Sequence, residues 1–199
     1  FDVDEGRIKV SAGADSGTYC SGLIVALSPQ PYECLVLEEI PNYRYVGGEI
    51  ELLGLTISEW AWTFTQAWAR YSPHRRLKPW IDPNTQFAAE FAHQRIYVQR
   101  NHKAPELRVE ITREYFQHDK VRLAPWLEIL PYELENANGR YMRVKTDDHT
   151  LDCLEHPLSR RPRSKRLAEP KTRSFIEEYV ERHRRTLPRA VDPHLGRHV

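Results

Sequence analysis

The chain has 199 residues, 40% of them hydrophobic, and a formal net charge of +1. That is enough chain and apolar content for one sizeable core, which excludes a wholly disordered protein. No run of about 18 apolar residues occurs, so no membrane span is expected, and no Gly-x-x-x-x-Gly-Lys-Ser/Thr loop occurs to drive a nucleotide motor.

The first residue is Phe1 and no signal peptide follows it, as expected of an excised domain or a processed chain. Arg7 to Ala14 alternates polar and apolar side chains like a half-buried strand, and Gly13-Ala14-Asp15-Ser16-Gly17 then wraps a tight turn around an acid. Tyr19 to Leu27 and Tyr32 to Ile40 read as two more strands, and the short Ser28-Pro29-Gln30-Pro31 link makes the three an antiparallel meander. Past Gly47-Gly48 the period becomes helical. Trp60, Phe64, Ala67, Trp68 and Tyr71 share one face, with Ser58 as the N-cap and Pro73 as the stop. Such a stripe is expected to pack on the sheet rather than to stack on bases.

Leu77 to Ile81 reads as a short strand, and proline's restriction of the residue before it sets Asp82 at that strand's C-terminal edge. The pattern then predicts a helix over Gln86 to Phe91, a strand over Arg95 to Gln99, and an amphipathic helix over Glu106 to Gln117 opened by Pro105. Val121 to Leu123 follows as a strand, Trp126 to Glu135 as a helix, and Asn136 to Lys145 as a β-hairpin turning at Asn138-Gly139. Thr146-Asp147-Asp148-His149 opens a short helix that Pro157 closes. Strands alternating with helices after a meander predict an α/β protein with a mixed sheet flanked by helices.

From Pro157 to Val199 there are 12 Lys/Arg against 5 Asp/Glu, leaving 17 against 23 in residues 1–156. An acidic body with a basic tail suits a carboxylate site working near a polyanion, and a solvated terminus gives the same counts. The expected division is therefore a body over residues 1–158 and a basic tail over 159–199, in which Ser174-Phe175-Ile176-Glu177 resembles a capping box opening a short amphipathic helix. Cys20, Cys34 and Cys153 have neither the count of a disulfide framework nor zinc-site spacing, and read as buried, inert thiols in a reducing compartment.

Four acids stand out: Asp15, Asp82 in Ile81-Asp82-Pro83, and Asp148 and Asp152 in Asp148-His149-Thr150-Leu151-Asp152. Each sits where a strand ends or a helix begins, which is how carboxylates distant in sequence meet on a hard divalent cation. Asp148 and Asp152 fall on one side of a helix at i and i+4, unfavourably unless a cation is near. Acids at a helix start also read simply as caps.

In order and spacing, Gly13-Ala14-Asp15-Ser16-Gly17, Leu37-Glu38-Glu39-Ile40, the Trp-rich helix, Ile81-Asp82-Pro83 and the Asp148 to Asp152 segment together resemble the nuclease domain of tailed-bacteriophage large terminase subunits. The resemblance spans residues 7–158 and implies an RNase H-like fold. It also implies a metal-dependent endonuclease that cuts double-stranded viral DNA during genome packaging with little sequence specificity, using two Mg²⁺ or Mn²⁺ ions. Asp15 would bridge the ions, Asp82 would bind one, and Asp148 or Asp152 the other; His149 would bind metal or orient water, or serve the structure only. Arg75, Arg76, Lys78, Arg140, Arg143 and Lys145 would hold DNA. An upstream ATPase domain, the portal and the small terminase subunit would be partners in the host cell cytoplasm. The chain departs from the family's Ala-Leu-Arg-Tyr-like continuation by having Cys153-Leu154-Glu155-His156, so the arginine's role has no counterpart there. Two other readings stay open: an RNase H-like nuclease for branched DNA or RNA-DNA hybrid, and a catalytically silent packaging module.

Overall fold

The computed structural model describes residues 8–17, 19–28, 32–71, 78–81, 85–136 and 149–161. The expected hairpin after Asn136 and the tail helix lie outside them. Three strands, β1 (Lys9–Asp15), β2 (Ser21–Leu27) and β3 (Cys34–Glu39), form the expected meander, pairing antiparallel from Lys9↔Leu27 to Asp15↔Ser21 and from Leu23↔Glu39 to Leu27↔Cys34. Three short strands extend it in parallel: β6 (Trp80–Ile81) beside β1, β7 (Gln99–Arg100) beside β6, and β8 (Val121–Leu123) beside β3. The six-stranded mixed sheet runs β7-β6-β1-β2-β3-β8. Its central strands are buried along nearly their whole length because helices cover both faces.

One face carries α1 (Ile57–Tyr71) and α2 (Thr85–His93), whose Trp60, Phe64, Trp68, Phe87 and Phe91 pack on Ala12, Ala14 and Ile24. The predicted stripe of α1 is the buried one, but the cap is Thr56. Its hydroxyl accepts from Glu59 N at 3.3 Å while Glu59 accepts from Thr56 N at 2.8 Å, a reciprocal capping box. The other face carries α3 (Pro105–Gln117), α4 (Ile129–Asn136) and α5 (His149–Leu158), which bury Ile111, Tyr115, Leu130, Leu151 and Leu154 against Leu23 and Val25.

Four boundaries differ from expectation. A two-residue turn at Gly47-Gly48, both at positive φ, joins β4 (Tyr43–Val46) to β5 (Glu49–Leu52) as a separate antiparallel pair that the helical reading passed over. The strand predicted over Arg95 to Gln99 begins only at Gln99. Arg95 sits at φ 60 in a Schellman close of α2, with Ile96 N donating to Phe91 O and Arg95 N to Ala92 O. Helix α4 begins at Ile129 rather than Trp126 because Glu39, at the end of β3, accepts the N–H groups of Glu128, Ile129 and Leu130 at 2.5, 2.8 and 3.0 Å. Pro157 lies inside α5 instead of ending it, so it has no N–H to give the carbonyl of Cys153.

Candidate functional site

That carbonyl, which Pro157 cannot serve, sets the distance between α5 and the sheet. A Cβ on Gly13 would stand 1.9 Å from Cys153 O, so the glycine hydrogen points at the oxygen and only glycine fits. Side chains of a strand alternate, hence Asp15 shares the face of Gly13 and projects beneath the start of α5. There His149 Nδ1 lies 3.6 Å from Asp15 Oδ2, too far for a hydrogen bond and close enough for attraction when the imidazole is protonated. The two side chains are 23% and 17% exposed, so the pair is sheltered but reachable. The rings of Tyr19 and Tyr43 flank His149 with centroids at 5.1 and 5.8 Å. Asp152 is half-buried one turn further along α5. On the other side of Asp15, β6 pairs in parallel through Ile81↔Ala14.

The first turn of α5 is held by a carboxylate from α4. Glu133 Oε2 accepts from Leu151 N at 2.8 Å, and Oε1 accepts from Thr150 N at 3.3 Å and from the Tyr43 hydroxyl at 2.6 Å. With its hydrogen spent on Glu133, Tyr43 can only accept from the Thr150 hydroxyl at 2.7 Å, and Thr150 in turn accepts from Ser21 at 2.7 Å. Every proton in this relay points toward the carboxylate. Burial pushes the Glu133 carboxyl up to about 7, against the opposing pull of these donors, and burial with the nearby Glu133 charge raises the Tyr43 phenol.

Further along α5, Asn101 Nδ2 donates to His156 Nδ1 at 3.2 Å and to Ser159 Oγ at 2.9 Å. Burial, helped by Arg108, drives the His156 imidazole down to about 3, so it stays neutral. Arg108 and Glu155 form a buried ion pair at 3.5 Å. The three cysteines are buried free thiols as expected; burial raises all of them, Cys34 to about 12.

Of the predicted site residues, Asp15, His149, Asp152 and Lys78 are described, and the structure brings Asp15 and His149 together. Lys78 is exposed just ahead of β6. Asp82, Asp148, Arg75, Arg76, Arg140, Arg143 and Lys145 lie outside the described residues. Sequence reasoning does not find Glu133, Tyr43, Thr150 and Ser21. The available signal is Glu133 itself, an acid three and four residues after Leu130 and Ile129 on the apolar stripe of its helix.

Among the described residues no three His, Cys, Asp or Glu side chains are grouped to hold a metal ion. The described part nonetheless suits a hard divalent cation in kind: a partly exposed carboxylate with an imidazole beside it. The soft donor nearby, Cys153, is kept a thiol by burial and by the charges of Asp15 and Asp152. Also among the described residues, no helix is long and apolar enough to cross a membrane.

No protein-family model matches the chain, and no curated protein matches it in sequence. Among solved structures, it is similar to the large terminase of a thermophilic bacteriophage in two crystal forms. One has 13% identity and a TM-score of 0.51 over 75% of this chain, the other 14% and 0.51 over 75%. The chain spans 39% and 38% of the lengths of those chains. At that identity the likeness concerns the fold, which is RNase H-like: a mixed sheet, part antiparallel and part parallel, between layers of helices.

Proposed function

We propose that the chain is a metal-dependent endonuclease that cuts double-stranded DNA during viral genome packaging, as a terminase nuclease does. The observation that carries this reading is the meeting at Asp15 of three segments far apart in sequence. Asp15 ends β1, Ile81 is paired to Ala14 one residue before Asp82, and His149, one residue after Asp148, stands 3.6 Å from the Asp15 carboxylate. The likeness of the fold to a bacteriophage large terminase supports it.

Asp15, Asp82 and Asp148 or Asp152 would hold Mg²⁺ or Mn²⁺. A pair of such ions, when bound, supplies an activated water and a counter-charge for the leaving oxygen of a phosphodiester. The protein's own part is to keep Asp15 sheltered at the end of the sheet and to hold His149 where it can orient a water or take a proton. Lys78 with Arg75, Arg76, Arg140, Arg143, Lys145 and the tail from residue 159 would bind DNA phosphates without reading bases. The ATPase domain, portal and small terminase subunit would be its partners.

Supercoiled plasmid, incubated with the full chain and Mn²⁺, is expected to be nicked and linearised. Asp15→Asn should abolish cutting while leaving the circular dichroism spectrum intact. Junction and RNA-DNA hybrid substrates in parallel reactions should be cut no faster than plain duplex. Folded wild-type protein that Mn²⁺ stabilises, yet that cuts none of the three, would sink the proposal.

A further inference from the structure

A helix cap is ordinarily supplied by the residue just before the helix, accepting from the second or third N–H inside it. Helix α5 begins at His149, so those donors are Thr150 N and Leu151 N. Both are taken by Glu133, a side chain from a different helix and 17 and 18 residues away in sequence. The cap that sequence position assigns to Asp148 is thus already made by another residue.

We propose that Glu133 is a positioning residue: it caps α5 in trans and thereby fixes the first turn of that helix, with His149 and Asp152 on it, over Asp15. This rests on the nuclease reading above. The geometry has the features of a preset site. Glu133 is 4% exposed, so water is a poor substitute for its oxygens. It is tied at the same time to β4 through Tyr43, and by way of Tyr43 and Thr150 to Ser21 on β2, next to the strand that ends in Asp15. An anion at this place also suits the positive end of the helix dipole. With the N–H groups satisfied from α4, no acid of the late segment has to serve as the cap, and Asp15 and His149 need not be brought together by an ion.

The test compares Glu133→Gln with two other variants of the full chain. Glutamine keeps the shape but loses one acceptor and the charge. Asp148→Ala removes the cap expected from sequence, and Phe64→Leu weakens the opposite face of the sheet. Two quantities are read: amide hydrogen exchange in metal-free protein, and the Mn²⁺ concentration giving half of the maximal thermal stabilisation.

Glu133→Gln is expected to speed exchange at Thr150 and Leu151 by about tenfold beyond the change at the slowest sheet amides, and to raise the Mn²⁺ half-saturation by about tenfold. Phe64→Leu should shift slow amides together and leave half-saturation in place. Asp148→Ala should leave exchange at Thr150 and Leu151 as in wild type. The proposal is overturned if Asp148→Ala rather than Glu133→Gln releases those amides. It is equally overturned if wild type is stabilised by Mn²⁺ and Glu133→Gln shows the same half-saturation, an outcome that leaves the nuclease reading standing. A wild-type protein with no saturable Mn²⁺ effect removes the nuclease site, and this role of Glu133 with it. Should Glu133→Gln not fold, Tyr43→Phe, which deletes only the hydroxyl bound to Glu133, carries the same comparison with a smaller shift.

Discussion

The two faces of the sheet bury different chemistry. Under α1 and α2 lies an aromatic layer in which Trp60, Phe64, Phe87 and Phe91 contact one another at centroid distances of 5.1 to 5.9 Å. The indole N–H of Trp60 is satisfied by Ile40 O. Under α3, α4 and α5 the buried set includes Glu133, Thr150, Glu155, His156, Arg108 and Asn101. An apolar layer tolerates small shifts because dispersion has no direction, whereas buried polar groups are costly unless each meets its partner at the right angle. The aromatic face therefore holds the sheet together, and the polar face holds α5 in one place. Asp15 projects onto the second of these, where placement matters most for chemistry.

That contrast can be broken by substitution. The largest loss is expected from Phe64→Ala, a fully buried ring whose removal leaves a cavity and should cost about 3–5 kcal/mol in urea unfolding. If the faces are independent, amide protection along α5 should fall only as far as global stability does. The two glycines that admit the helices come next. At Gly13 an added methyl meets a backbone carbonyl at 1.9 Å, which cannot turn aside, and at Gly22 it meets ring carbons of Phe64 at 2.7 Å, which can. Gly13→Ala should cost about 3 kcal/mol and Gly22→Ala about 1 kcal/mol. Equal losses at the two positions would show that α5 is no more rigidly seated than α1.

The faces are unequally legible in the sequence for the same reason. Trp60, Phe64, Trp68 and Tyr71 announce the aromatic face by helical period alone, and the meander follows from alternation and short links. Asp15 stands out because a turn with flanking glycines marks it. Glu133 does not, because its partners Tyr43, Thr150 and Leu151 come from other elements and no local pattern records a bond across 90 residues. The β4–β5 pair is legible yet easily passed over: Gly47-Gly48 between Tyr43–Val46 and Glu49–Leu52 is a hairpin signal, but the same glycines also read as the end of one segment before a helix. Glu39 shows the same limit as Glu133, since it decides where α4 starts from the end of a distant strand.

A pH titration sharpens the comparison further, because the polar face carries strongly shifted groups with opposite signs. Glu133 is raised from 4.5 to about 7, so the stability it lends is fully present below 4.5 and lost as pH rises through 7, at most about 3 kcal/mol. His156 is lowered from 6.5 to about 3, so its contribution is fully present above 6.5 and lost as pH falls through 3. Between about 4.5 and 6.5 the two slopes offset each other; above 6.5 the His156 slope ends while the Glu133 loss continues. Melting temperatures of the metal-free protein should thus decline from about pH 6.5 toward 8. Glu133→Gln should flatten that decline and uncover a rise with pH below about 6.5. A wild-type curve that climbs through neutral pH would mean that Glu133 is ionised in the fold at little cost.

The smallest effect is expected where neither face is involved. Arg44 and Glu51 are directly opposed in the β4–β5 register and pair at 2.8 Å, with side chains 58% and 51% exposed. Water screens such a pair and the long side chains lose freedom in forming it, so Glu51→Ala should cost under about 1 kcal/mol and less in high salt. The geometry is closer than that of Arg108 and Glu155, which meet at 3.5 Å with exposures of 7% and 2%. If distance governed strength, Glu51→Ala would be the more damaging change. Burial reverses the order, since Glu155→Ala takes the counter-charge from a buried Arg108 guanidinium while Glu51→Ala returns Arg44 to water. Urea midpoints for the two variants, measured at low and high salt, separate these expectations directly.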